Sequence, residues 1–178
     1  MKSPYIVFIG DSLTEYFDWS RRFTRCRVDN LGVAGETVEG LLERLQYIRA
    51  TVRQPDFLFV MTGINNIAMG ELDFLGPLRV VLQSLATRYG RAAVVLQSVL
   101  PARLPWLRND LIDEVNAGLK LLAVELGVEY LELYEAFVGE AGLPREGCLL
   151  EDGVHLSEGG YRLWAELIEK FLSRRGLP

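Results

Sequence analysis

Five short apolar runs recur along the chain: Tyr5 to Ile9, Arg27 to Leu31, Phe57 to Thr62, Ala92 to Val99 and Val128 to Leu131. Their apolar residues are near-continuous instead of alternating, the pattern of strands buried on both faces of a parallel sheet. Between the runs the spacing turns helical. Val38, Leu41, Leu42, Leu45 and Ile48 form one stripe, Leu78, Val81, Leu82 and Leu85 a second, and Leu111, Val115, Leu119 and Leu122 a third, each suited to one core-facing helix. A last helix is predicted from the N-cap Ser157 through Leu163, Leu167, Ile168 and Phe171 to a stop at Arg174-Arg175-Gly176.

Strand and helix in alternation predict a three-layer α/β/α sandwich around a five-stranded parallel sheet, with right-handed crossovers. In such sheets, sites form beyond the carboxyl ends of the strands. At 178 residues the chain is expected to make one domain over 1–178, since two halves would each have a marginal core. No repeat or low-complexity tract interrupts it, and Pro101 to Pro105 is the nearest thing to a break.

Charge narrows the partners. A formal charge of -5 and no dense Lys/Arg run argue against nucleic acid, which needs a cationic stripe; Arg21, Arg22, Arg25 and Arg27 read as solvated. Cys26 and Cys148 are too few for a disulfide framework, so a reduced, cytoplasmic protein is expected. The basic start at Met1-Lys2 is followed by an apolar run too short for a signal peptide, and no stretch is long enough to span a membrane.

His155 is the only histidine, so any serine hydrolase chemistry must use it, and seven serines compete to reach it. Ser12 is best placed, following a strand and Gly10 at a strand-to-helix turn where backbone amides converge. Ser98, ending a strand, is the runner-up. For an isolated Asp11-Ser12 pair, helix capping would be the simpler explanation. The second element changes this: Asp152 precedes His155 by three residues, a spacing at which the carboxylate can accept from Nδ1–H and leave Nε2 free as a base. Acyl transfer also needs donors for a developing oxyanion, which the glycine-containing loops Asn30 to Thr37 and Thr62 to Asn66 could supply.

Gly10-Asp11-Ser12-Leu13, Gly35-Glu36-Thr37, Gly63-Ile64-Asn65-Asn66 and Asp152-Gly153-Val154-His155-Leu156-Ser157, in that order, resemble the four blocks of the SGNH, or GDSL-type, hydrolase family. The resemblance implies a flavodoxin-like fold, Ser12 as nucleophile, His155 as base and Asp152 as its orienter. It also implies an oxyanion hole of the Ser12 and Gly35 amides with the Asn65 side chain, and no metal or organic cofactor. One departure stands out: the third block commonly ends in Asp, whereas this chain has Asn66, which resembles the platelet-activating-factor acetylhydrolase branch. The Gly-x-Ser-x-Gly elbow of the α/β-hydrolases is absent.

The expected partner is a small-molecule ester or thioester of a short to medium acyl group. Leu104, Trp106 and Leu107, in the loop after the fourth strand, are expected to wall its acyl pocket, with prolines stiffening the wall. Three other readings compete: a metal site from Asp11, Asp152 and His155, a carbohydrate- or lipid-binding module with a vestigial site, and a deacetylase of acetylated sugars.

Overall fold

A computed structural model describes residues 3–139 and 142–176; the Met1-Lys2 start lies outside them. Five strands, β1 (Tyr5–Gly10), β2 (Arg27–Gly32), β3 (Phe57–Met61), β4 (Ala93–Gln97) and β5 (Glu129–Leu131), make one parallel sheet in the order β2-β1-β3-β4-β5. This is the flavodoxin-like order, and its topological switch point falls between β1 and β3. The helices are α1 (Ser12–Glu15), α2 (Trp19–Arg22), α3 (Val38–Glu43), α4 (Leu45–Thr51), α5 (Ile64–Met69), α6 (Leu75–Arg88), α7 (Asn109–Leu126), α8 (Tyr134–Phe137) and α9 (Glu158–Ser173).

Right-handed crossovers put α3, α4, α6 and α7 on one face of the sheet, where α6 contacts each of the other three. On the opposite face α2 meets α9 through the Trp19–Trp164 ring contact at 4.8 Å and the Arg22–Glu169 ion pair at 2.8 Å. Phe8 of β1 stacks on Trp19 at 4.1 Å, joining that layer to the sheet. Aromatic side chains bury a large area each, so this cluster contributes much of the drive that seats α2 and α9.

Two expectations need correction. β1 and β3 are buried along their whole length, but β2 and β5 are the sheet's edges and are only partly covered. Their apolar content alone does not distinguish edge from centre; Arg27, Asp29 and Asn30 of β2 are the residues that tolerate the edge. The stripe from Val38 to Ile48 is also not one helix. It breaks at Arg44 (φ -89°, ψ 5°) into α3 and α4, because Arg44 lies at the edge of the apolar face and its guanidinium needs polar partners at the sheet.

Candidate active site

At the end of β1 the chain must turn sharply into α1. Gly10 permits this because a Cβ there would lie 2.2 Å from Met61 O and 2.4 Å from Thr14 Oγ1. Asp11 then caps α1, its Oδ1 accepting from the Leu13 amide at 3.0 Å. The capping explanation thus holds for Asp11, and it leaves the Ser12 hydroxyl free for something else.

The His155 imidazole meets that hydroxyl, Nε2 lying 3.0 Å from Ser12 Oγ. On the ring's other side Nδ1 lies 2.8 Å from Asp152 Oδ2. Asp152 Oδ1 accepts from the amides of Val154 and His155, both at 2.9 Å, so the carboxylate is fixed by its own turn before it orients the ring. Partial burial pulls the Asp152 pKa up, but the two amides and the His155 ring together outweigh it and hold the group below the ordinary carboxylate value. In the tautomer that donates from Nδ1, Nε2 presents a lone pair to Ser12.

The Asp152–His155 turn is buttressed by the loop after β4. Arg103 N donates to Gly153 O at 2.7 Å, and Arg103 Nη2 donates to Leu150 O at 3.0 Å. Gly153 has φ +78°, and a Cβ there would lie 2.3 Å from Arg103 O. Only glycine satisfies both the left-handed backbone and the close approach.

Ser12, Gly35, Asn65, Asp152 and His155 all line one cleft of about 300 Å³. Asn65 Nδ2 donates to Glu36 O at 2.8 Å, and since an amide carries two N–H donors, the other remains for a ligand. The Gly35 amide is in no hydrogen bond among the described residues. Asn66, one residue on, is fully buried and points away from the cleft: its Oδ1 accepts from Val38 N at 3.0 Å and its Nδ2 donates to Glu39 Oε2 at 2.8 Å. It fastens the amino end of α3 to α5.

The structure does not bring the expected acyl wall to this cleft, whose remaining lining is Tyr16, Ala34 and Val154. Leu107 is buried in the core and Leu104 packs against it. Trp106 is 70% exposed, with its indole N–H donating to Ala68 O at 3.1 Å. Prolines and apolar residues marked the loop as important, but its contribution here is Arg103, through both its backbone and its guanidinium. Tyr16, whose ring lies 5.3 Å from the His155 ring, was missed; its exposure beside the Ser12 turn carries no local sequence signal.

Ser98, the rival serine, is buried and accepts from the amides of Leu133 and Tyr134 at 2.9 and 2.8 Å, a structural role that ties β4 to α8. The Asp11 carboxylate is turned to Leu13, and among the described residues no group of three His, Cys, Asp or Glu side chains could hold a metal ion. Among them, too, no helix is long and apolar enough to cross a membrane.

Known proteins resemble this chain in sequence and fold. The bovine platelet-activating factor acetylhydrolase IB subunit alpha1 is 29% identical over 97% of this chain and 77% of its own length. The rat alpha2 subunit is 27% identical over 90% of this chain and 72% of its own. A Streptococcus pneumonia structure with the provisional name of a platelet activating factor superposes with a TM-score of 0.86 at 28% identity, covering 96% of this chain and 85% of that one. The model of the GDSL-like lipase/acylhydrolase family matches residues 8–163, and with that span of the sequence, the fold and the grouping of the four blocks around one cleft, the chain belongs to this family of hydrolases.

Proposed function

We propose that the chain, as one domain over 1–178, is a serine ester hydrolase that cleaves carboxylic esters or thioesters of short to medium acyl groups through an acyl-Ser12 intermediate. The observation that carries this reading is the continuous chain of contacts from Asp152 Oδ2 to His155 Nδ1 at 2.8 Å and from His155 Nε2 to Ser12 Oγ at 3.0 Å. Ser12 Oγ attacks the carbonyl carbon as its proton passes to Nε2, and Asp152 stabilises the imidazolium that forms. The carbonyl oxygen, now an anion, is met by the amides of Ser12 and Gly35 and by Asn65 Nδ2. The imidazolium then protonates the leaving group. Water, deprotonated by the same nitrogen, then attacks the acyl carbon, and the bond to Ser12 Oγ breaks as Nε2 returns the proton to it, releasing the acid and the free serine.

Each of these steps uses side chains and amides already lining the cleft, so the mechanism calls for no cofactor. A cleft of about 300 Å³ suits a small acyl group. Cys26 and Cys148 are free thiols, which fits a cytoplasmic setting as part of the proposal.

The test is turnover of p-nitrophenyl esters from acetate to decanoate by the wild-type chain and by Ser12→Ala. Serine-dependent hydrolysis with a short-chain optimum, and fluorophosphonate labelling confined to Ser12, are expected. Asp152→Asn should lower kcat by about 10⁴, the cost of the wrong imidazole tautomer in a comparable triad. Full activity in Ser12→Ala, or labelling at Ser98, would overturn the reading. Specific binding of an acylated ligand without turnover would favour a binding module instead.

A further inference from the structure

The side chain of Glu36 is 6% exposed and that of Arg44 19%, yet they form an ion pair at the edge of the candidate site. Arg44 Nε donates to Glu36 Oε1 and Arg44 Nη2 to Oε2, the second at 2.7 Å. The same Nη2 reaches Leu31 O at 2.8 Å, with Gly10 O at 3.5 Å. The guanidinium thus joins the carboxyl ends of β1 and β2 to the loop that follows β2. Room for Glu36 comes from Gly40, where a Cβ would sit 3.1 Å from Glu36 Cγ.

Both loop-borne donors of the candidate oxyanion hole hang on Glu36. Gly35 precedes it directly, at φ +75° with no contact within 4 Å of a Cβ placed there, so nothing on its own side chain position holds its amide. Asn65 is held by the Glu36 carbonyl. The backbone of the loop has its own ties, Val33 N donating to Gly10 O at 2.9 Å, Ala34 N to Glu15 Oε2 at 2.7 Å and Glu36 N to Val33 O at 3.2 Å, but none of them reaches the Asn65 side chain.

We infer that the Glu36–Arg44 ion pair is a positioning device, which fixes the Gly35 amide and the Asn65 side chain against the ends of β1 and β2 so that both donors face the point above Ser12 where negative charge develops. A buried ion pair is weak evidence for stability, because the desolvation of two charges offsets their attraction. A geometric role explains its place better: donors contribute to rate only when they are held where the oxyanion forms, and displacements near 1 Å can cost about a hundredfold. Arg44 also sits at the break between α3 and α4, at the margin of their apolar stripe, where its guanidinium can reach the strand ends without leaving the core face.

The inference rests on the ester hydrolase reading for its kinetic test but not for its structural one. Arg44→Gln, Asn65→Ala and the double variant are compared with the wild type on p-nitrophenyl acetate. Arg44→Gln is expected to lower kcat by about 10- to 100-fold with KM within about threefold. Asn65→Ala should lower kcat by about 10²- to 10³-fold. The double variant should fall short of the product of the two losses by about tenfold or more, since coupled residues are non-additive. Losses that multiply, or an Arg44→Gln kcat within twofold of wild type, overturn the inference.

Glu36→Gln, which keeps the chain length and one acceptor, replaces Arg44→Gln under the same criteria if the latter does not fold. Independently of turnover, the Asn65 side-chain amide resonances should move toward free-amide positions in the variant, and hydrogen exchange at the Glu36 amide, which donates to Val33 O at 3.2 Å, should accelerate. If the wild type hydrolyses no ester, the hydrolase reading fails while these signals still decide the ion pair's role. Unchanged resonances and exchange overturn it.

Discussion

Asn66 and Glu39 are joined across 2.8 Å by a hydrogen bond in which Asn66 Nδ2 donates to the carboxylate, while Asn66 Oδ1 accepts from Val38 N. The position therefore requires a side chain that accepts at one end and donates at the other. That accounts for an asparagine where the family's block commonly has aspartate: an aspartate could take the Val38 amide but would oppose the Glu39 carboxylate in a fully buried place. Burial pulls the Glu39 pKa up, yet its bonds from Asn66, its own backbone and Thr37 prevail and keep it below the ordinary value.

Asn66→Asp is accordingly expected to cost about 1–3 kcal/mol at neutral pH, the range for an unmade bond to a buried partner. Opposed carboxylates raise the pKa of one of them in the folded state. The cost should thus be present above the carboxyl range and fade as pH falls through it. Urea denaturation near pH 7 and near pH 4 measures this, and Glu39→Gln added to Asn66→Asp should restore most of the loss. Equal stability of Asn66→Asp and wild type at neutral pH would refute the pairing argument.

Selectivity should follow Tyr16 and not Trp106. Tyr16 lines the cleft beside His155, whereas Trp106 does not line it and is 70% exposed. Trp106→Ala should leave the shape of the acyl-length profile, read as kcat/KM from acetate to decanoate, unchanged. Tyr16→Ala opens the cleft, and since each buried methylene is worth about 0.8 kcal/mol, the optimum should move toward longer chains. A shift with Trp106→Ala alone would return the acyl wall to the β4–α7 loop.

The Asp152–His155 turn gives a sharper test of positioning. Gly153→Ala must adopt φ near +78° and bring a Cβ within 2.3 Å of Arg103 O, while Gly127, the C-cap of α7 at φ +65°, has nothing within 4 Å of such an atom. Both variants bear the left-handed penalty of about 1–2 kcal/mol. Only Gly153→Ala also displaces the turn, so kcat/KM should drop about a hundredfold or more there and stay near wild type in Gly127→Ala. Parallel thermal shifts with equal activity would mean that the Arg103 contact yields without moving His155.

How much of this could be read in the chain follows the range of each interaction. Ser12, Asp152 and His155 stood out because there is one histidine, the carboxylate is three residues from it, and the serine follows a strand whose end must open on a cleft. The parallel sheet was legible for a similar reason, in runs of apolar residues. The edge positions of β2 and β5 were not, since strand order is set by pairing between distant segments. The role of Arg44 depends on the carboxyl ends of β1 and β2 lying side by side, again a distant pairing; its one local trace is a charge at the margin of an apolar stripe. In the loop from Pro101, the eye falls on Leu104 and Trp106, but the contacts to the Asp152–His155 turn are made by Arg103, through its backbone N and its guanidinium, and the backbone part is one that side-chain chemistry does not report.

The last prediction concerns Asp11. Its carboxylate is 1% exposed, with Oδ1 occupied by Leu13 N, while Oδ2 is buried without a partner among the described residues, as are Thr14 Oγ1 and Thr62 Oγ1. Burial raises its pKa from 3.8 to about 7; the Leu13 amide and His155 oppose the rise and Glu36 adds to it. The folded state therefore favours the protonated acid. Its contribution to stability is complete below the unfolded carboxyl pKa and is lost as pH rises through about 7. A shift of this size corresponds to something on the order of 4 kcal/mol at 1.36 kcal/mol per unit. Asp11→Asn keeps the oxygen that caps α1, is neutral throughout, and offers an N–H₂ donor where the carboxylate offers none. The stability of the variant relative to wild type, from urea denaturation, should rise between about pH 4 and pH 7 and level off above. A difference independent of pH across that interval would mean that Asp11 is ionised throughout, and that a partner for Oδ2 satisfies it.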